Sequence, residues 1–282
     1  MSTVQIRVPA STSNLGPGFD CLGLALQLYN DVRVELAGEP EPAAFLTAVA
    51  SAFFARTGLP PFNVRVRVSG GVPSARGLGS SVTVRLGLLM GLNALANGGL
   101  ERESLFRLAA ELEGHPDNAA AACYGGFTIV RPHGSAVLRY EVKPALKVVL
   151  CVPDFEVQTP AARQALPESY PRQAVVGNLA GVAAVTAAFV SQDYRLLRGA
   201  FRDQVHQPYR QPLVPFLPSV LRAAEEAGAL GGFLSGSGST IACIALENTA
   251  AVAAAMQSAV PGGTAAMHVV EADNAGARIV TA

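Results

Sequence analysis

Charge is scarce in this chain, and its signs cancel. Of 282 residues only 15% are Asp, Glu, Lys or Arg, and 21 basic residues stand against 21 acidic ones. With no net charge, no global field draws the molecule to nucleic acid or to an acidic membrane surface. An anionic ligand would need a local site. Cysteine is sparse too. Cys21, Cys123, Cys151 and Cys243 lie far apart and form no CxxC pair. That argues against a disulfide framework or structural zinc and fits a reducing cytoplasm. The N-terminal residues lack a basic stretch followed by an apolar core, so no signal peptide is expected. Gly, Arg or Asn interrupts each apolar stretch before about 18 residues, so no membrane span is expected. What is abundant is apolar: 50% of the residues are hydrophobic, enough for a generous core. The length suits one large domain or two modest ones sharing an interface.

Periodicity gives an α+β order. Val4, Ile6 and Val8 alternate with polar residues as a short strand, and Pro9 to Gly18 reads as a turn-rich loop. Leu22 to Leu36 suits a long strand or a hairpin. Glu41 to Arg56 reads as a helix and Asn63 to Ser69 as a half-buried strand. After a glycine-rich stretch, Val82, Leu86, Leu89 and Leu92 recur at helical spacing until Asn97-Gly98-Gly99. Glu101 to Glu113 is a second helix, and a short third starts at Pro116, since proline suits a first turn. Gly125 to Arg131 and Ala136 to Val142 read as paired strands. Pro144 precedes an apolar strand, Lys147 to Val152, and a domain boundary is placed there, giving 1–145 and 146–282. Beyond it, Ala174 to Val190 and Tyr194 to Arg202 read as helices. Gln207 to Pro218, with four prolines, reads as a rigid loop. A helix at Ser219 to Ala227 and a strand at Leu230 to Leu234 follow. Ile241 to Leu246, Asn248 to Val260 and Ala265 to Val270 make strand, helix, strand.

Three glycine-containing loops and one polar cluster carry the chemistry. Pro73-Ser74-Ala75-Arg76-Gly77-Leu78-Gly79-Ser80-Ser81 follows a strand and opens a helix. Glycines permit close backbone approach, and the free amides and dipole of a helix start favour phosphate. No Lys is present, so this is not a Walker loop, and Gly77-x-Gly79 does not extend to a dinucleotide fingerprint. On local chemistry alone it reads equally as a flexible loop whose serine caps a helix. Pro9 to Asp20 holds Asn14 and Asp20 among small residues, which by itself reads as a tight turn. Glu113-Gly114-His115-Pro116-Asp117-Asn118 crowds polar groups between two helices, where each has a plain reading as a helix end, a satisfied histidine or a cap. Leu234 to Thr240 reads locally as an ordinary Gly/Ser turn.

In register, these strings resemble the three signatures of the GHMP kinase family, in its homoserine-kinase form. Pro9-Ala10-Ser11 through Asn14-Leu15-Gly16 and Gly18-Phe19-Asp20 resembles the first. Pro73 through Gly77-Leu78-Gly79-Ser80-Ser81 resembles the second. Ser235-Gly236-Ser237-Gly238-Ser239-Thr240 resembles the third, with Ser239 where proline is usual. Val82-Thr83 stands where alanines are usual. The resemblance implies a two-domain α+β fold, with a ribosomal-S5-like N-terminal domain and a ferredoxin-like C-terminal domain. It implies that Pro73, Arg76, Gly77, Leu78, Gly79, Ser80 and Ser81 wrap ATP, and that Ser81 and Glu113 hold Mg²⁺, with Glu111 as a weaker metal candidate. One carboxylate and one hydroxyl suffice, because Mg²⁺ takes few protein ligands. It implies that Asn14, Asp20, His115 and Asn118 contact L-homoserine, and that Arg163 and Arg210 grip its carboxylate by bidentate bonding. Asn118, Arg163 and Arg210 would then serve the reacting centre. Asp117 is the open candidate for a general base. A homodimer is a candidate assembly.

Other readings stay in view: a GHMP kinase acting on mevalonate, a sugar or another alcohol; a nucleotide-binding sensor without turnover; and a purely structural protein. Paired arginines with Asp20 favour a zwitterionic acceptor. Ser81 and Glu113 count against the sensor, and three clustered glycine loops against the last.

Overall fold

The computed structural model describes residues 2–39, 41–132 and 136–281. The first strand, β1 (Thr3–Ser13), is longer than its alternating residues suggest. It pairs antiparallel with β2 (Leu22–Leu36), from Thr3 opposite Glu35 to Ser13 opposite Gly23, with a register shift between Pro9 and Ala10. Proline donates no ladder hydrogen bond, so it is tolerated at such an irregularity. The strand therefore continues through it and carries Ser11, Thr12 and Ser13 inward, where a loop is expected. β2 is one continuous strand, not a hairpin. β3 (Val64–Gly70), β4 (Phe127–Val130), β5 (Val137–Tyr140) and β10 (Arg278–Thr281) complete a six-stranded sheet, ordered β10-β1-β2-β4-β5 with β3 also on β2. A second sheet has the order β7-β8-β6-β9, from β7 (Gly231–Leu234), β8 (Ile241–Ala245), β6 (Lys147–Pro153) and β9 (Ala265–Val270).

Helices α1 (Ala44–Thr57), α2 (Ser80–Ala96), α3 (Arg102–Glu113) and α4 (Asp117–Tyr124) belong with the first sheet. Val4, Ile6, Val8, Val32 and Val34 meet Phe53, Leu86, Leu89 and Phe106 in one core. The second sheet shows the strand period of two directly. Val148, Leu150 and Val152 of β6 face the first sheet, while Val149 and Cys151 face α8 (Leu217–Glu226) and α9 (Thr249–Ser258). Between the sheets runs a shared core of Leu22, Leu24, Phe127, Leu150, Phe189 and Phe233. Its central pair, Phe127 and Phe189, stacks with ring centroids 4.2 Å apart and planes within 7°.

Phe189 sits on α6 (Arg172–Ser191), in the second half, where several elements depart from expectation. By length and mean hydropathy of 1.8 this is the one described helix that could cross a membrane, so Gly177 and Asn178 do not break it as the sequence suggests. Its packing ties it into the fold: Val185, Ala188 and Phe189 are buried, and the Asn178 amide donates to the Pro17 carbonyl (3.1 Å) and to Asp203 Oδ1 (2.7 Å). The helix expected over Tyr194 to Arg202 is only a 3₁₀ turn, Tyr194–Leu197, followed by Gly199 at φ 75°. The proline-rich stretch is not a loop. It forms α7 (Gln207–Arg210), a 3₁₀ turn at Gln211–Leu213, and the start of α8, each with proline in its first turn. Proline's fixed φ suits that position. α5 (Thr159–Gln164) and β10 have no counterpart in the periodicity reading. β10 also crosses the boundary placed after residue 145, since it bonds to β1.

Candidate active site

The three loops meet at the junction of the sheets. Gly77 and Gly79 have φ of 75° and 69°, where side chains are strained. A Cβ on Gly77 would lie 2.1 Å from the Ser235 carbonyl oxygen, and one on Gly79 would lie 2.3 Å from Ser11 Oγ. Glycine is thus required twice, by conformation and by close approach. Ser235 Oγ donates to the Gly77 carbonyl (2.6 Å), and the Ser11 amide donates to the Leu78 carbonyl (3.1 Å). Asn14 Nδ2 reaches across to the Gly236 carbonyl (3.1 Å). The first and third loops therefore hold the second from both sides.

Helix α2 starts at Ser80, with Gly79 as its N-cap and no side-chain cap hydrogen bond. The serine-cap alternative is therefore not what forms. The first-turn amides lack intrahelical partners, and Ser80, Ser81 and Val82 line a cavity. Facing them is Glu113, the last residue of α3, which Gly114 ends at φ 80°. A carboxylate there opposes the negative end of its own helix dipole. Two partners compensate: Ser81 Oγ donates to Glu113 Oε2 (3.1 Å), and Arg85 ion-pairs with Oε1. Arg85 in turn lies over the Phe45 ring, 4.6 Å from its centroid, and burial pulls its pKa below the usual arginine value.

On the opposite wall, Asp20 takes a bidentate pair from Arg163, with Nη2–Oδ1 at 2.7 Å and Nη1–Oδ2 at 3.1 Å. Both side chains are about one-third exposed. Arg210 is almost fully buried. Its Nε donates to the Ala162 carbonyl (3.0 Å) and Nη1 to the Gly236 carbonyl (3.0 Å). Burial first, then the nearby Arg163, lowers its pKa to about 10, against the opposing pull of Asp20, Asp203 and Asp117. It remains a cation at neutral pH.

Asn14, Asp20, Gly77, Gly79, Ser80, Ser81, Glu113, His115, Asp117, Asn118, Arg163 and Arg210 all line this one cavity. Asn118 accepts from Ser11 Oγ (2.8 Å) and donates to Ser13 Oγ (3.0 Å). Asn14 accepts from the Asp20 amide (3.1 Å). Each amide keeps one N–H and one lone pair for a ligand. His115 Nδ1 is buried without a hydrogen-bond partner, 3.6 Å from Asp117 Oδ1. Asp117 Oδ1 accepts from the Asn118 amide (2.7 Å).

Four sequence candidates lie elsewhere. Leu78 is fully buried in the inter-sheet core. Pro73 and Arg76 line a separate hollow. There Arg76 donates to the Pro153 carbonyl (3.0 Å) and pairs with Asp154 and Glu156, tying the loop to the second sheet. Glu111 pairs with Arg56 (2.6 Å) on the outer face of α3. The structure also gives a place at the site to residues to which the sequence reading assigned no role. The Phe19 ring lies beneath both guanidinium groups, 5.6 Å from Arg163 and 5.1 Å from Arg210, and stacks on His206 at 5.3 Å. Its sequence signal is its place beside Asp20 in the first of the three strings.

The arrangement corresponds to known proteins. The family described as GHMP kinases, N terminal domain, matches residues 44–126, and GHMP kinases C terminal matches residues 185–262. The homoserine kinase of Moorella thermoacetica is 38% identical, over 90% of this chain and 91% of that one. That of a Picosynechococcus species is 37% identical, over 99% and 100% respectively. The chain belongs to the GHMP kinase family. Among GHMP kinase structures, homoserine kinase from Cytophaga hutchinsonii superimposes with a TM-score of 0.89 at 25% identity, covering 99% of this chain and 98% of that one. A mevalonate kinase shares the fold, with a TM-score of 0.73 at 11% identity over 96% of this chain and 99% of that one. The two-domain α+β fold expected from the three signatures is the fold observed. As in any kinase of this family, ATP is the phosphoryl donor.

The residues present fit a magnesium ion. The Ser81 hydroxyl and a Glu113 oxygen converge beside the helix N-terminus, and two oxygens are what Mg²⁺ commonly takes from protein. Triphosphate and water would supply the remaining ligands.

Proposed function

We propose that this protein transfers the γ-phosphoryl group of ATP to the side-chain hydroxyl of L-homoserine, giving O-phospho-L-homoserine. The observation that carries the reading is the wall formed by Asp20, Arg163 and Arg210. One carboxylate and two guanidinium groups within a single cavity complement the ammonium and carboxylate of an amino acid. The relatives named above, homoserine kinases at 37–38% identity over nine-tenths or more of the chain, support it.

Phosphoryl transfer asks the protein mainly for positioning and charge stabilisation. The backbone around Gly77 and Gly79 and the first-turn amides of α2 would hold the triphosphate, as helix N-termini hold anions. Ser81 and Glu113 would hold magnesium, which supplies positive charge against the charge developing on the phosphate oxygens. Arg163 and Arg210 would take the substrate carboxylate and Asp20 its ammonium. Asn14, His115 and Asn118, which line the cavity together, would set the hydroxyl in line with the γ-phosphate. Asp117 already serves the α4 start through the Asn118 amide. No side-chain base is assigned, and the hydroxyl proton leaves directly or through phosphate. Asp117→Asn should then keep kcat within about tenfold of the parent. A loss of about 10²–10⁴ with intact folding would instead make Asp117 the base.

An ADP-release assay with homoserine, mevalonate, galactose and threonine tests the reading. Homoserine alone should stimulate turnover strongly. Equal or greater stimulation by mevalonate or galactose would move the protein to another GHMP activity.

A further inference from the structure

His206 is fully buried beside the cavity and has no part in the chemistry above. Its ring nitrogens have distinct partners. Nε2 lies 2.8 Å from the Gly16 carbonyl oxygen, which can only accept, so Nε2 carries the proton. Nδ1 lies 3.3 Å from Arg210 Nη1, which can only donate, so Nδ1 presents its lone pair. Asp203 Oδ2, 3.5 Å from Nε2, supports the same proton. Burial holds the imidazole below its ordinary pKa, aided by Arg210 and opposed by Asp203, the Gly16 carbonyl and Asp20, which keeps the ring neutral. The ring face stacks on Phe19, the aromatic floor beneath both arginines.

These contacts join the two halves of the substrate wall. Gly16 lies in the turn between Asn14 and Asp20. The turn is pinned from behind, since a Cβ on Gly16 would lie 2.4 Å from the Phe201 carbonyl oxygen. On the other side, Arg210 spends Nε on Ala162 and Nη1 on Gly236 and His206. Among the described residues nothing hydrogen-bonds Nη2, the donor left for a ligand. We propose that His206, as the Nε2–H imidazole, is a positioning residue. It fixes the spacing between Arg210 and the Asn14–Asp20 turn, and so lets the site select an acceptor bearing both a carboxylate and an ammonium. This rests on the amino-acid kinase reading above.

Two measurements test it. Long-range ¹H–¹⁵N correlation on the wild-type protein should show, for the imidazole whose ring protons give NOEs to the stacked Phe19 ring, a protonated Nε2 and an unprotonated Nδ1 at neutral pH. An Nδ1–H tautomer or an imidazolium overturns the proposal, and this holds even if the variants fail to fold. Kinetically, His206→Gln keeps a donor near Gly16 and removes the acceptor facing Arg210. The KM for homoserine should rise about tenfold or more, as for loss of one hydrogen bond to a charged group. The KM for ATP and saturating kcat should stay within about twofold. The preference for homoserine over 3-aminopropan-1-ol, which lacks the carboxylate, should shrink with the same factor. His206→Asn, which keeps an acceptor near Nδ1 but cannot reach Gly16, should recover part of that preference. Unchanged KM and preference in both variants overturn the proposal. So does a uniform loss in kcat, both KM values and Tm, which marks a role in folding only. If the wild type releases no ADP with homoserine, the amino-acid kinase reading has failed and this proposal falls with it. An active wild type with unaltered variants sinks the proposal alone.

Discussion

Asp20 and Arg163 already hold each other in a two-point pair, so on the proposed reading the substrate's charged ends would enter beside a carboxylate and guanidinium that already neutralise each other, with Arg210 as the second cation. A lysine cannot reproduce two parallel donors. Arg163→Lys should therefore raise the KM for homoserine about tenfold or more while leaving the KM for ATP near its parent value, as read by initial rates. On the opposite wall, Glu113→Gln keeps the shape and removes the charge that would hold magnesium on the proposed reading. Calorimetry should show weakened Mg·ATP binding with little change for ATP alone; equal losses in both would take Glu113 out of the metal site. His206 gives the pH dependence. Its folded pKa lies below the ordinary value of about 6.5, so the unfolded chain takes up the proton first as pH falls. Stability is full above about 6.5 and declines below it. Asp203, Arg210 and Asp20 face the ring but do not reverse that direction. Tm should fall between pH 6.5 and pH 5, and His206→Gln should flatten part of the slope. At this scale the sequence showed most of the site, because the charged and amide residues stand inside recognisable strings. It did not show Phe19 or His206 at work, since their roles depend on partners up to 190 residues away in the chain.

Among the elements, the loop before α2 depends on the two others. Gly77 meets the backbone of the third loop and Gly79 the side chain of the first. Gly77→Ala combines a disfavoured φ with a collision against a carbonyl that cannot swing aside. ATP affinity by calorimetry should drop about tenfold or more, with a lower Tm. Wild-type affinity would show that the loop is free of the third loop in solution. The same interlocking explains what periodicity could and could not reveal. The α2 pattern was plain from the spacing of Val82, Leu86, Leu89 and Leu92, and β3 from the alternation of Val64, Val66 and Val68, although of these only Val64 is buried. β1 was cut short at Pro9, since proline normally ends a strand and only the bulge lets this one continue to Ser13. The prolines of 208–218 read as a loop, although Pro208, Pro212 and Pro218 each stand in the first turn of a helix or 3₁₀ turn, and the first of these carries Arg210. β10 was invisible because four residues gain strand character only from pairing with β1.

For the molecule as a whole, the two sheets share one core and cannot be treated as independent bodies. Phe189 stacks on Phe127 at its centre and touches Tyr194 edge-on. Phe189→Ala should cost about 3–5 kcal/mol in urea unfolding and should destabilise both halves in one transition. Two separated transitions in the parent protein would contradict that coupling. The site lies where this core meets the cavity, with α2 and α4 from one sheet's layer, α5 and α7 from the other, and the three loops between them. The most direct test of the account is ³¹P NMR of the purified protein with Mg·ATP and L-homoserine. The account predicts one new phosphomonoester resonance, growing in equal amount with ADP and matching O-phospho-L-homoserine. ADP accompanied only by inorganic phosphate, or no change in the ATP signals, would contradict it.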